Sequence, residues 1–230
     1  MIELEDFLWG IFFFRNVYCN GEGPGLFNSD KRSKVEIDEV VKNMRDYPDK
    51  LTPSDVEVLI DGFLNFWGCR LHKSEELARS IIEVRKNIDP NVQKLSNDSL
   101  IGIDLDKKGD LIEDVYEKIA EIQYPIEGGK ERHLGHTATS KLLFLLNPKL
   151  FVMWDNQIIG GYEKEEPRIT ASAEGYLVFL GKMQECANEL AKELGREDPK
   201  ELASYLRGQL EYREGDWWTR LISELNTALV

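Results

Sequence analysis

The stretch GGKERHLGHTATSKLLFLLNPKLFVMWDNQIIG, residues 128–160, decides how the rest of this chain is read. Gly128-Gly129 marks a turn, and a basic, histidine-containing loop follows it. His136, Thr137, Ser140 and Lys141 gather at the start of a helix whose remainder, Leu142 to Leu146, is apolar. Asn147-Pro148 breaks that helix, and a second apolar run ends at Trp154-Asp155-Asn156. A carboxylate at the end of such a run is costly to bury unless something pairs with it. Asp155 is therefore expected where a short helix begins, capping Gln157 or Ile158 with one oxygen and keeping the other for chemistry. The competing reading is a plain N-cap after a buried connector. Charge singles out the same stretch. Lys130, Arg132, Lys141 and Lys149 against Glu131 give residues 128–154 a net +3 (four basic minus one acidic), in a chain of −13 overall. A glycine-containing loop feeding a helix start offers backbone N–H groups and a positive dipole end to a phosphate.

Outward from this centre, helical periodicity dominates. Leu4, Phe7, Leu8, Ile11, Phe12 and Phe14 predict a first helix over residues 2–17, and Val35–Asp46 a second. Thr52-Pro53-Ser54-Asp55 reads as cap, first-turn proline and capping-box acid, opening a helix that carries Val56, Leu59, Ile60, Phe63 and Trp67 to about Gly68. Residues 74–88 form the next, with Asp89-Pro90 as its stop, and residues 90–109 are left open as a brief helix, turn or loop. Asp110 is expected to cap a helix with Leu111, Ile112, Val115, Ile119 and Ile122 inward, closed by Tyr124-Pro125. Gly160-Gly161 and Pro167 imply a loop, then residues 172–194 a long amphipathic helix. Helices from Pro199 to about Tyr212 and over residues 217–229 complete the chain. No period-two strand, repeat or low-complexity tract stands out. The expectation is an all-α protein of roughly eight to ten helices over residues 1–230, as one domain or as two lobes with the site around 128–160 between them.

The excess of 42 acidic over 29 basic residues argues against a broadly basic nucleic-acid coat or an anionic-membrane surface, but not against a local basic patch. The apolar run from Phe7 to Phe14 is too short to span a bilayer and follows Glu3, Glu5 and Asp6 rather than positive charge, so a cytoplasmic protein without a membrane partner is expected. Cys19, Cys69 and Cys186 are scattered and read as reduced core residues. Asp104–Gly109 imitates a calcium loop, but Lys108 at its fifth position and Val115 at its twelfth defeat it, leaving a solvated turn. His133 and His136 with Asp155 make a remote metal-hydrolase reading, and no metal is expected. No phosphate-cradling glycine loop, serine elbow or Cys/His pair is present. Trp217-Trp218 reads as packing rather than base stacking.

His133-Leu134-Gly135-His136-Thr137-Ala138, followed by an apolar segment and Val152-Met153-Trp154-Asp155-Asn156, resembles the helix-hairpin-helix DNA glycosylases, the endonuclease III-like enzymes. Members carry a glycine-rich hairpin running into a Thr-Ala helix start, then an apolar segment ending in an Asp that begins a helix. The likeness covers about thirty residues. Only Gly135 keeps its place in the hairpin, with Arg132 or His133 where the second glycine would sit. It implies DNA repair: excision of a modified or mismatched base, with Asp155 stabilising positive charge at the sugar or orienting water. It also implies DNA contacts from Lys130, Arg132, His133, Gly135, His136 and Thr137, with Lys141 sharing the phosphates, and a base pocket formed by Trp154 and Asn156 with Gln157. The lysine that gives some members a lyase step falls by spacing on His136 or Thr137. Lys141 lies a turn further on, so hydrolysis without a lyase step is expected. An iron–sulfur cluster, found in some members, is ruled out by three dispersed cysteines, and no cofactor is expected. The rival class is a non-catalytic helical module of the same shape, binding nucleic acid or protein.

Overall fold

The computed structural model describes residues 34–65, 68–126, 128–162, 164, 166–193 and 195. The expected helices over residues 2–17, 199–212 and 217–229, with Cys19, Trp67 and Trp217-Trp218, lie outside them. The described chain is mainly helical, with seven α-helices and one two-stranded sheet. It divides into two compact units. Among the described residues, those of 98–109 and 148–195 belong to unit 1, and those of 34–97 and 110–147 to unit 2.

Unit 2 opens with α1 (Lys34–Asp46), whose last carbonyls are taken up by a buried arginine. Arg85, 1% exposed, donates from Nε to the Met44 carbonyl and from Nη2 to the Arg45 carbonyl, both at 2.7 Å. Its Nη1 pairs with Asp89 at 2.7 Å. A buried guanidinium is tolerable because each nitrogen is matched. The short helix α2 (Pro53–Leu59) starts as its sequence predicts, with a reciprocal Thr52–Asp55 capping box and Pro53 in the first turn. It runs into a π-turn, Ile60–Leu64, which keeps Ile60, Phe63 and Leu64 buried. In α3 (Glu75–Leu95) Ser74 caps the start, and the expected stop at Asp89-Pro90 is overturned. The helix passes through Pro90 for five more residues, because the missing N–H releases only the carbonyl of exposed Lys86, which water can reach. Beyond Pro90, Val92 and Leu95 are buried.

Helix α4 (Leu105–Ala120) begins six residues before the start expected from a cap at Asp110. Asp104 is the residue that caps it, accepting the Lys107 N–H, so the supposed calcium-like turn is its first turn. Gly109 lies inside the helix against Leu177, whose Cδ2 would sit 2.8 Å from an added Cβ. The helix ends at Ala120, and an all-α chain is corrected at the next residues. β1 (Gln123–Ile126) and β2 (Lys130–His133) pair antiparallel, with Tyr124 opposite Arg132 and Ile126 opposite Lys130. Only Tyr124 of the eight strand residues is buried, so no alternation marks the ribbon in sequence. Helix α5 (His136–Leu146) follows and stops at Asn147-Pro148, and the Asn147 side-chain amide donates to the Leu95 carbonyl at the end of α3 at 2.7 Å.

In unit 1 the run Leu150–Trp154 is buried throughout. It leads to α6 (Asn156–Tyr162), which includes the Gly160-Gly161 pair expected in a loop. Helix α7 (Ala173–Glu193) supplies Tyr176, Phe179, Leu180, Met183 and Ala187 to the core. The Tyr176 hydroxyl donates to the Val152 carbonyl at 2.8 Å, and Gln184 reaches the Leu100 and Ile103 carbonyls. No helix among the described residues is long and apolar enough to cross a membrane.

Candidate functional site

The glycine-containing loop is a β-ribbon followed by an uncapped helix. Gly128 and Gly129 turn the chain at φ 86° and 72°, and all of Lys130, Glu131, Arg132 and His133 are exposed on β2. Leu134 donates to the Ile122 carbonyl at 2.8 Å, which brings the chain back to the end of α4. Gly135 then adopts φ 81°, ψ 164°, a conformation that only glycine takes without strain. Its carbonyl accepts both the N–H and the hydroxyl of Thr139, at 3.1 and 2.8 Å. Gly135 has no side chain to cap α5, and the N–H groups of His136, Thr137 and Ala138 make no hydrogen bond to another described residue. These are the orphan donors of a helix start, here left open.

His136 and Thr137 lie half-buried at that start, whereas Lys141 is only 3% exposed. Lys141 was expected to share phosphate contacts with Lys130 and Arg132; its burial separates it from their exposed strand, and it is engaged in an interaction of its own. The reason is that α5 is enclosed from Ala138 onward, polar Thr139 and Ser140 included. His133 and His136 part company as well. Nε2 of His133 lies 3.4 Å from the Gln123 amide nitrogen, while Nδ1 of His136 faces the hydroxyl of Tyr116 on α4 at 3.2 Å. Burial pushes the His136 imidazole below its ordinary pKa, which keeps it neutral. The inward face read from sequence passes over Tyr116, although it lies four residues after Ile112 on the same stripe. Tyr124 is buried with no hydrogen-bond partner for its hydroxyl among the described residues. Burial raises its pKa, against the lowering effect of Arg132.

Unit 1 holds the acid. Asp155 is half-buried, and its Oδ1 accepts the N–H groups of Gln157 at 2.9 Å and Ile158 at 3.0 Å. Oδ2 has no hydrogen-bond partner among the described residues. This division of the two oxygens is the one expected from sequence. Asn156 and Gln157 are exposed beside it. Trp154 is corrected from pocket wall to core: it is fully buried, its ring 5.0 Å from Tyr176 and 5.3 Å from Phe179. Burying the largest side chain at the end of an apolar connector stabilises more than leaving it open to a ligand.

A groove of about 780 Å³ in unit 1, between the starts of α4 and the middle of α7, has no counterpart in the sequence reading. Its rim includes Asp104, Asp106, Glu166, Arg168, Lys182 and Glu185. Arg168 holds Glu166 in a two-nitrogen clasp at 2.9 Å and lowers its pKa to about 2, so two of those charges are already paired. No group of three His, Cys, Asp or Glu residues suited to a metal ion occurs among the described residues. Cys69 and Cys186 are half-buried and form no disulfide with each other. Neither a protein-family model, nor a curated protein, nor a solved structure matches this chain.

Proposed function

We propose that this chain is a DNA glycosylase-like protein of helix-hairpin-helix type, which excises a modified or mismatched base by hydrolysis without a lyase step. The observation that carries the reading is the divided carboxylate of Asp155. Two backbone N–H groups hold Oδ1, which fixes the side chain, while Oδ2, without a partner among the described residues, is left to act. Such a carboxylate stabilises the positive charge that develops on a sugar as its glycosidic bond breaks, or orients the attacking water. The open N–H groups at the start of α5 and the exposed cations Lys130 and Arg132 suit phosphates, positioning a strand without reading its sequence. The burial of Lys141 supports hydrolysis over a Schiff-base step, since a covalent lysine must reach the sugar. The target base has to leave the stack to meet the acid.

The test is a panel of duplex oligonucleotides carrying damaged or mismatched bases, with Asp155→Asn as control. Excision by the native chain and its loss in the variant are expected; equal activity in both overturns the role of Asp155. Borohydride is expected to trap no adduct, and an adduct lost in Lys141→Ala overturns the hydrolytic reading. A second reading, a non-catalytic helical module, is favoured by the net charge of −13 and by the β-ribbon before α5. It predicts weak, steeply salt-dependent DNA binding without turnover, or none.

A further inference from the structure

Tyr116 and His136 make a contact that the function above does not use. Tyr116 is fully buried on α4, and His136 is the first residue of α5. Their rings stack at 15° with centroids 5.8 Å apart, and the tyrosine hydroxyl lies 3.2 Å from Nδ1. The same hydroxyl is 3.4 Å from the His136 carbonyl, which already accepts a helical N–H from Ser140. The hydroxyl has one proton; given along the shorter contact it goes to Nδ1, since the carbonyl already has a donor. Burial and the positive end of α5 both disfavour an imidazolium, so the ring carries a single N–H. With Nδ1 accepting, that proton sits on Nε2.

We propose that Tyr116 locks His136 as a neutral Nε2–H donor at the exit of the β-ribbon, and that this N–H hydrogen-bonds a backbone phosphate of bound DNA. His136 thereby positions the strand without adding charge, and Tyr116 acts through it. The inference rests on the DNA-binding half of the function proposed above and is independent of the chemistry at Asp155. A neutral donor has a distinct signature. Its loss weakens binding but leaves the salt dependence alone, because no counterion is released by an uncharged contact.

Two measurements test it. Long-range nitrogen–proton NMR on protein labelled at its three histidines, with His136→Gln as the assignment control, is expected to show His136 protonated on Nε2 alone at pH 7. Tyr116→Phe keeps the stacked ring and is expected to give a tautomer mixture. An Nδ1–H or doubly protonated His136 in the native chain overturns the proposal. The second measurement is anisotropy titration of an abasic-site duplex across salt concentrations. His136→Ala is expected to bind about tenfold more weakly with an unchanged salt slope, the worth of one hydrogen bond to a charged group. His136→Gln, whose amide N–H can replace Nε2–H, is expected to recover most of that loss. Arg132→Ala is the charged control and is expected to reduce the slope by about one. Native affinity in His136→Ala, alongside a weakened Arg132→Ala, overturns the histidine contact and spares the DNA reading. Failure of the native chain to bind the duplex overturns the DNA reading and the phosphate contact with it, whatever the NMR shows of the tautomer.

Discussion

Two helix starts in this chain meet the same problem in opposite ways. At α6 a carboxylate from Asp155 satisfies the N–H groups of Gln157 and Ile158. At α5 a glycine in a left-handed conformation supplies no cap, and three N–H groups find no partner among the described residues. A helix start without a side-chain cap gives up about 1 kcal/mol of available stability. The chain thus has one terminus closed by its own acid and one open to an anion from outside. An acid that caps while keeping one oxygen uncommitted suits chemistry; an uncapped terminus beside exposed Lys130 and Arg132 suits binding.

The largest effect is expected where the contrast is cut at Asp155. Asparagine is as good a cap as aspartate, so Asp155→Asn should hold stability within about 0.5 kcal/mol while excision falls at least about a hundredfold. Urea unfolding and single-turnover excision on the same preparations separate the two roles. Asp155→Ala should lose the activity and about 1 kcal/mol of stability besides. An alanine variant as stable as the asparagine one would show that the cap contributes nothing.

At the open terminus, Gly135→Ala is expected to cost about 1–3 kcal/mol in unfolding free energy. The added methyl meets nothing within 4 Å, so the loss is one of backbone conformation and not of crowding. An unchanged midpoint would mean that α5 starts otherwise than from a left-handed glycine. Tyr124→Phe on the neighbouring ribbon removes a buried hydroxyl that has no partner among the described residues, and should leave stability unchanged or raise it by up to about 1 kcal/mol. A loss above that range would point to a hydrogen bond for the hydroxyl.

The smallest effect is a pH dependence. His136 has a lowered pKa in the folded chain, so below its ordinary 6.5 the unfolded state binds more protons than the folded one. Its contribution is complete above that value and declines as pH falls through it towards the lower folded pKa. Unfolding curves from pH 7 to pH 5 should show a shallower decline in His136→Gln than in the native chain. Equal slopes would mean that burial does not hold the imidazole neutral.

Much of this was legible in the residues because local rules governed it. The capping box at Thr52–Asp55, the break at Asn147-Pro148 and the division of the Asp155 oxygens each depend on neighbours within four positions. The stop at Pro90, the start at Asp110 and the loop at Gly160-Gly161 failed for one shared reason. Each reads a local helix breaker as decisive, whereas packing at Val92, Leu95 and Leu177 carried the helix through two of them. The ribbon escaped notice because seven of its eight residues lie outside the core and show no period of two.

By itself, then, the sequence determined a mainly helical chain, the capping box at Thr52–Asp55, and an acid placed to cap Gln157 and Ile158 with one oxygen. Only tertiary packing decided that Lys141 and Trp154 are buried, and that Tyr116 meets His136 twenty positions away. A cap is settled by hydrogen bonds within one turn, which the order of residues contains. Burial is settled by which faces of distant elements meet, and spacing along the chain does not contain that.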